Sequence, residues 1–171
     1  MTFEDFNLNA PLLNALSDLG FTEPTLIQQK AFSVVLSGRD VVGIAQTGTG
    51  KTFAYLLPIL RQMTFSKQKE PRVLVVVPTR ELVVQLVADV RKLTTYMNTR
   101  VEGVYGGTNI NTQKLLVMNG LDILIATPGR LVDLAMSGYL NLKYVKQFVI
   151  DEMDEMLSLG FRAQLTSILD L

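Results

Sequence analysis

Two short segments contain residues whose types and order could bind a phosphate group. The first is AQTGTGKT, residues 45–52, which follows a β-branched apolar run and has two glycines ahead of Lys51 and Thr52. Glycines let the backbone turn so that successive N–H groups point at one anion. A lysine then places positive charge on phosphate oxygens, and a hydroxyl can bind Mg²⁺. We predict a phosphate-binding loop at a helix start, the alternative being a glycine-rich turn that happens to precede a lysine.

The second segment is acidic. DEMD, residues 151–154, follows the apolar run Phe148–Ile150. A carboxylate at the tip of a buried strand is costly unless it faces a cation or water. Because the chain has no His, a carboxylate is the natural general base. We predict that Asp151 binds Mg²⁺, directly or through water, and that Glu152 activates an attacking water. The alternative is a solvated acidic helix start, since acids favour first turns.

Composition limits the other chemistry. The 171 residues fit one domain, and 48% of them are apolar, which is enough for a buried core. Sixteen Lys and Arg balance sixteen Asp and Glu, so a nucleic-acid site would be a local patch. Without Cys or His, disulfides, thiolate or imidazole metal sites and histidine acid–base chemistry are excluded. The N-terminus lacks a signal-peptide pattern and no apolar run has membrane-spanning length, so we predict a soluble, cytoplasmic, monomeric protein.

The elements around these segments alternate between strand and helix. Apolar runs of strand length predict five strands, at Val41–Ala45, Val73–Val77, Val101–Tyr105, Ile123–Ala126 and Phe148–Ile150. Helical periodicity lies between them, for example over Arg80–Tyr96, while Pro11 fits a first helical turn and Gly20 and Gly38 fit helix ends. This alternation predicts an α/β fold with a parallel sheet, whose ligand site lies at the carboxyl ends of the strands.

The order of motifs resembles that of the DEAD-box RNA helicases over almost the whole chain. GFTEPTLIQ (20–28) is similar to the Q motif, AQTGTGKT to motif I, PTREL (78–82) to motif Ia, Gly106-Gly107 to the GG motif, TPGR (127–130) to motif Ib and DEMD to motif II. The resemblance implies a RecA-like P-loop NTPase domain with a mostly parallel sheet flanked by helices. It also implies ATP and Mg²⁺ as cofactors and RNA as partner.

The resemblance implies a set of nucleotide-binding positions. Gln28 would read the edge of adenine, and Phe3, which lies 17 residues before Gly20, would stack on the base. Thr25-x-x-Gln28 is equally the spacing of a helix capping box. Thr52 and Asp151 would hold Mg²⁺, and Glu152, Lys51 and Asp151 would form the catalytic group. The full nucleotide set is Phe3, Phe21, Gln28, Gln46, Thr47, Gly48, Thr49, Gly50, Lys51 and Thr52.

The resemblance also implies an RNA path along three motifs. The positions are Pro78, Thr79, Arg80, Gly107, Thr127, Gly129 and Arg130. Backbone N–H groups, hydroxyls and Arg are phosphate ligands, and no aromatic platform interleaves with them, which favours sugar–phosphate contacts with little sequence preference. The alternatives are an N-cap with Pro in the first turn at Thr127-Pro128, and solvated surface charge at Arg80 and Arg130.

The chain also departs from the family pattern. Met153 replaces the usual Ala of motif II, and Val83 replaces the Ala that usually follows the Leu of motif Ia. The S-A-T motif, to which Asp154 would couple, is not in the 171 residues, nor is the second RecA-like domain that would be its partner. We therefore expect residues 1–171 to be an incomplete first domain, with weak nucleotide binding, little or no hydrolysis and no unwinding when isolated.

The resemblance implies that the longer protein is an ATP-dependent RNA helicase, whose RNA-stimulated ATP hydrolysis drives duplex unwinding or RNP remodelling. One alternative is a non-catalytic, ATP-gated RNA-binding clamp, against which the intact Glu152 argues. Another is a DNA translocase of the same superfamily, against which the Q motif and TPGR argue.

Overall fold

A computed structural model describes all 171 residues, which form eight α-helices, one 3-10 helix and four β-strands. The chain divides into two compact units. The first contains Met1–Phe65 and Val90–Asn98, and the second contains Ser66–Asp89 and Thr99–Leu171. No helix is both long and apolar enough to span a membrane.

The first unit is helical. Its 3-10 helix, Phe3–Phe6, is followed by α1 (Ala10–Asp18), α2 (Leu26–Leu36) and α3 (Lys51–Gln62). Asn9 caps α1 by accepting a hydrogen bond from the Leu12 N–H at 3.1 Å, with Pro11 in the first turn as predicted. The predicted stop after α1 is confirmed, because Gly20 has a φ of +75°.

The second unit contains the sheet. Its strands are β1 (Val73–Val76), β2 (Val101–Val104), β3 (Ile123–Ala126) and β4 (Gln147–Ile150). They lie in the order β2-β3-β1-β4, and every neighbouring pair is parallel. The predicted parallel α/β architecture is confirmed, and four of the five predicted strands are present to within one residue at each end.

Helices accompany these strands. They are α4 (Arg80–Leu93), whose residues are divided between the two units, α5 (Ile110–Met118), α6 (Pro128–Met136), α7 (Met153–Ser158) and α8 (Arg162–Leu169). Alternate strand residues such as Leu74, Leu124 and Val104 pack with Val117 of α5 and Leu131 of α6 in one buried cluster. Because strand side chains alternate in direction, the nearly continuous apolar strands bury both faces of the central sheet.

The predicted strand at Val41–Ala45 is wrong. Residues 41–45 have irregular backbone, and the side chains of Val42 and Ile44 are 89% and 93% exposed. A strand requires a neighbour to satisfy its N–H and C=O groups. The four strands pair only with each other, so residues 41–45 have the composition of a strand but no ladder to join.

One carboxylate connects the starts of three strands. Asp122, just before β3, accepts hydrogen bonds from Arg72 Nη2 at 3.0 Å, Arg100 Nη2 at 3.1 Å and the Arg100 N–H at 2.9 Å. Burial acts to raise the pKa of Asp122, but the hydrogen bonds from Arg100 and Arg72 outweigh it and lower that pKa below its ordinary value. Arg72 precedes β1 and Arg100 precedes β2, so this end of the sheet is held electrostatically.

Candidate functional site

The predicted phosphate loop has the local geometry of an anion site. Residues 47–50 form a turn in which Gly48 and Gly50 have φ values of +80° and +87°, a region that favours glycine. The Thr49 hydroxyl donates to the Gln46 carbonyl at 2.6 Å, which closes the loop internally. Helix α3 begins at Lys51, with Gly50 at its N-cap position, so the loop leads directly into a helix N-terminus.

The Q-motif segment is bonded to this loop. Gln28 is buried on α2, where its Oε1 accepts from the Thr25 N–H at 2.9 Å and its Nε2 donates to the Gly50 carbonyl at 3.1 Å. The capping interpretation of Gln28 is therefore confirmed. The same side chain also holds Gly50 in place, and a Cβ at Gly50 would collide with the Gln28 amide and lie 3.1 Å from Thr25 Oγ1.

A groove of about 600 Å³ lies beside these contacts within the first unit. It is lined by residues from two segments only, the start of α2 (Thr25, Leu26, Ile27 and Lys30) and the loop (Ile44, Ala45, Gln46 and Thr49). Its volume falls in the range of small-molecule sites. The groove offers apolar surface from Ile27 and Ile44, hydroxyls, an amide and one ammonium group, which is a combination suited to a nucleotide.

The two aromatic candidates differ in accessibility. Phe21 is exposed and packs edge-on against Phe53 of α3, with ring centroids 5.1 Å apart. Phe3 is only 4% exposed and packs edge-on against Phe6, which stacks on Phe32 at 4.2 Å. The ring of Phe3 thus belongs to an aromatic core in this structure, and stacking on adenine would require it to change its packing.

The acidic segment lies where parallel strands present their ligands. The Asp151 N–H extends the β4 ladder by donating to the Val76 carbonyl at 3.0 Å, which places Asp151 at the carboxyl end of the sheet. Glu152 has φ +56° and ψ +46°, a left-handed conformation rare for a non-glycine residue, and is the N-cap of α7. Strain of this kind, about 1–3 kcal/mol, is typical of functional positions. Met153 and Asp154 are exposed at the start of α7.

The motif Ia candidates form the start of α4 beyond β1. Pro78 is buried, and Thr79 caps the helix by accepting from the Leu82 N–H at 3.3 Å. Arg80 is exposed, and its guanidinium lies 5.0 Å from the ring centroid of Tyr105, the residue after β2. This cation–π contact restrains a side chain that is otherwise free to reach a phosphate. Tyr105 is an aromatic residue in the predicted RNA path that the sequence analysis missed.

The GG and motif Ib candidates are also placed beyond strand ends. Gly107 is exposed with a φ of +78°, and Thr127 is the N-cap of α6, where its side chain makes no capping hydrogen bond. Gly129, in the first turn of α6, is partly exposed. Arg130 is instead buried, with Nη1 donating to Gln113 Oε1 at 2.7 Å and Nη2 to the Thr108 carbonyl at 2.9 Å.

Gln113 is the second residue that the sequence analysis missed. It is a buried polar side chain on α5, four residues before the buried Val117. An amide at a helical position that faces the apolar core indicates a structural or functional role, because buried polar groups require hydrogen-bond partners. Its partners here include Arg130 and the loop that carries Gly107.

Sequence comparison matches residues in both units. A sequence model of the family described as DEAD/DEAH box helicase matches residues 25–171. The chain belongs to this family. The match includes the predicted phosphate loop, the strand-end segments of the sheet and DEMD, and it leaves only the first 24 residues outside.

Individual DEAD-box proteins are similar over nearly the whole chain. The chain is 44% identical over 170 residues to DEAD-box ATP-dependent RNA helicase 30 of Arabidopsis thaliana, covering 97% of this chain and 29% of that protein. It is 44% identical over 174 residues to ATP-dependent RNA helicase RhlB of Pseudomonas syringae pv. tomato, covering 98% and 44%. It is 41% identical over 169 residues to ATP-dependent RNA helicase DeaD of Escherichia coli, covering 98% and 27%. The chain therefore spans less than half the length of these relatives.

Proposed function

We propose that this chain is the ATP-binding part of an ATP-dependent RNA helicase, in which ATP hydrolysis is stimulated by RNA and coupled to duplex unwinding or RNP remodelling. The observation that carries the proposal is the hydrogen bond from Gln28 to the Gly50 carbonyl, beside a groove lined by α2 and the phosphate loop. Because the predicted adenine-binding segment is hydrogen-bonded to the predicted phosphate loop, the two segments can position the base and the phosphates of one nucleotide together. The names of the relatives support the same activity.

The proposed chemistry uses ATP and Mg²⁺. Thr52 and Asp151 offer a hydroxyl and a carboxylate, the hard oxygen ligands that Mg²⁺ prefers. No group of three or more Asp and Glu residues in the chain could hold a metal by itself, so Mg²⁺ would depend on triphosphate oxygens and water for its other ligands. When bound, Mg²⁺ neutralises charge on the phosphates. Lys51 adds a positive charge there, and Glu152 accepts a proton from the attacking water.

The proposed RNA contacts use backbone groups and short polar side chains. Thr127 has a hydroxyl that is not used for capping, Gly107 and Gly129 allow close approach, and Arg80 is exposed. Such groups bind sugar and phosphate and carry little sequence information. We expect Asp154 to couple this site to the second RecA-like domain. The cytoplasmic location and monomeric state stay predictions.

The test uses the full-length protein and two matched pairs of variants. Lys51→Ala should weaken binding of a fluorescent ATP analogue by about tenfold or more, because one charge-assisted phosphate contact is lost. Lys67→Ala, at an exposed lysine, should leave this affinity unchanged. Glu152→Gln should lower RNA-stimulated kcat by about 10²- to 10⁴-fold with nucleotide affinity retained. Glu155→Gln, at an exposed position in the first turn of α7, should not lower it.

The outcomes separate the candidate functions. Wild-type protein that binds RNA and ATP but shows no RNA-stimulated turnover would support the ATP-gated clamp instead. Stimulation by single-stranded DNA equal to that by RNA would favour the DNA translocase.

A further inference from the structure

Two segments of the predicted RNA path meet at a residue that belongs to neither motif. Gln113 on α5 is 7% exposed and uses every polar atom of its side chain. Its Oε1 accepts hydrogen bonds from the Tyr105 N–H at 3.2 Å and from Arg130 Nη1 at 2.7 Å. Its Nε2 donates to the Tyr105 carbonyl at 3.1 Å and to the Thr108 hydroxyl at 2.9 Å. An amide has two acceptor sites and two N–H donors, so its hydrogen-bonding capacity is filled.

These hydrogen bonds hold both ends of the loop of residues 105–108. Tyr105 and Thr108 flank Gly106 and Gly107, which are exposed and contribute no side chains that could pack. Two consecutive glycines have large conformational freedom, and ordering them costs more entropy than ordering other residues. The amide of Gln113 supplies the restraint that the glycines lack, because it holds both backbone groups of Tyr105 and the hydroxyl of Thr108.

Arg130 supports the same restraint. Its Nη2 donates to the Thr108 carbonyl at 2.9 Å and its Nη1 to Gln113, while its Nε has no hydrogen-bond partner and lies 3.9 Å from Asp133 Oδ2. A guanidinium binds phosphate well when its fork of donors faces the ligand. In this structure the fork faces Gln113 and Thr108 instead.

The restrained loop also contacts the third segment. The ring of Tyr105, whose backbone Gln113 holds, lies 5.0 Å from the guanidinium carbon of Arg80. Gln113 therefore contacts Arg130 directly. It is connected to Arg80 through Tyr105 and to Gly107 through the neighbouring Thr108. These three residues are candidates from three different motifs.

We propose that Gln113 is a positioning residue for RNA binding, which holds residues 105–108 so that the backbone at Gly107 is presented to an RNA sugar–phosphate chain. The Arg130 side chain acts through Gln113 and Thr108, and its guanidinium does not itself bind the RNA. This inference rests on the proposed function, because it requires RNA to bind along these strand ends.

The experiment measures RNA and nucleotide affinity in the full-length protein. Gln113→Leu removes all four hydrogen bonds at similar volume. Thr108→Val keeps the shape but removes the hydroxyl that accepts from Gln113 Nε2 at 2.9 Å and donates to the Tyr105 carbonyl at 3.4 Å. We expect RNA binding to weaken about tenfold for Gln113→Leu and about threefold for Thr108→Val, with ATP-analogue affinity within about twofold of wild type. Thr112→Val is the matched control, since Thr112 is exposed on α5, and should not change RNA affinity.

Two further readouts distinguish positioning from general stabilisation. Amide hydrogen exchange should become faster at residues 106–108 and stay unchanged in the sheet. The slope of log Kd against log salt should stay unchanged in Gln113→Leu and fall by about one in Arg80→Ala, because only the second variant removes a phosphate-binding cation.

The outcomes can be separated from failure of the proposed function. If wild-type protein binds RNA and Arg80→Ala weakens binding, but both Gln113→Leu and Thr108→Val stay within about twofold of wild type, the positioning role is overturned and RNA binding stands. If Gln113→Leu does not fold, Thr108→Val against Thr112→Val decides. Wild-type protein that does not bind RNA overturns both proposals.

Discussion

At the residue scale, the most informative contact is the one between Gln28 and Gly50. From the sequence, Gln28 has two candidate roles, a helix cap and a reader of adenine. In the structure both ends of its amide are bonded, one to the Thr25 N–H and one to the Gly50 carbonyl. The cap is confirmed, while contact with adenine stays a proposal that depends on the groove next to Thr25.

Replacing Gly50 should therefore disturb the loop by two separate effects. Gly50→Ala places a side chain at φ +87°, which costs about 1–2 kcal/mol, and drives a Cβ into the Gln28 amide. Gly38→Ala has the same backbone strain at φ +76° with no atom within 4 Å. We expect chemical denaturation to show a larger loss of unfolding free energy for Gly50→Ala than for Gly38→Ala. Equal losses would mean that Gln28 moves aside freely.

At the element scale, close packing explains one departure from the family pattern. A Cβ at Gly103 of β2 would lie 2.7 Å from Val83 Cγ1 and 2.9 Å from Val87 Cγ2 of α4. Val83 is fully buried and is larger than the Ala usual at its position. The helix can approach the strand because residue 103 has no side chain, so Val83 and Gly103 form a complementary pair.

This pairing predicts a non-additive double mutant. Gly103→Ala should destabilise the protein by about 1–3 kcal/mol through overpacking against α4. Val83→Ala should be destabilising by itself because it leaves a cavity. The double variant should lose less unfolding free energy than the sum of the two single losses, as measured in a double-mutant cycle. Strict additivity would contradict a direct contact between the two positions.

The strand starts give a pH-dependent prediction. The folded-state pKa of Asp122 is lower than the value of about 3.9 expected in an unfolded chain. Its contribution to stability is therefore fully present above that unfolded value and is lost as pH falls through the folded pKa. Asp122→Asn should cost about 2–4 kcal/mol at pH 7, because Arg72 and Arg100 lose their counter-charge.

Urea denaturation across pH checks this linkage. The gap in unfolding free energy between wild type and Asp122→Asn should narrow once pH falls below about 4. Asp170→Asn, at an exposed carboxylate, should change stability by less than about 0.5 kcal/mol at pH 7. A constant gap down to acidic pH would show that Asp122 acts by packing and not by charge.

At the scale of the whole molecule, the chain is shorter than the relatives it matches. It spans between 27% and 44% of the lengths of the three proteins described above. Within it, residues 41–45 remain irregular and expose Val42 and Ile44. The segment that leads into the predicted phosphate loop is therefore not part of a strand and makes no ladder hydrogen bonds.

We expect the 171-residue chain produced alone to bind adenine nucleotides weakly, to hydrolyse ATP little or not at all and to unwind no duplex. In P-loop NTPases an arginine finger supplied in cis or by a partner protein contributes about 10³- to 10⁵-fold in rate, and we expect the full-length protein to use one. Nucleotide titration, phosphate release and strand-displacement assays on the isolated chain and the full-length protein check this directly. Unwinding by the isolated chain at the full-length rate would contradict it.

The sequence by itself determined the class of fold, the four paired strands, the glycine-containing turn before α3 and the acidic segment after β4. These features depend on local composition, since apolar runs, glycine pairs and Pro or Asn caps act within a few residues of themselves. Tertiary structure alone decided whether residues 41–45 join a sheet, because a strand exists only where another strand satisfies its backbone. It also decided that Arg130 is turned toward Gln113 and that Gly103 faces Val83. The first contact joins residues 17 positions apart and the second joins residues 20 positions apart. A local sequence pattern does not predict which distant residue a buried side chain will contact.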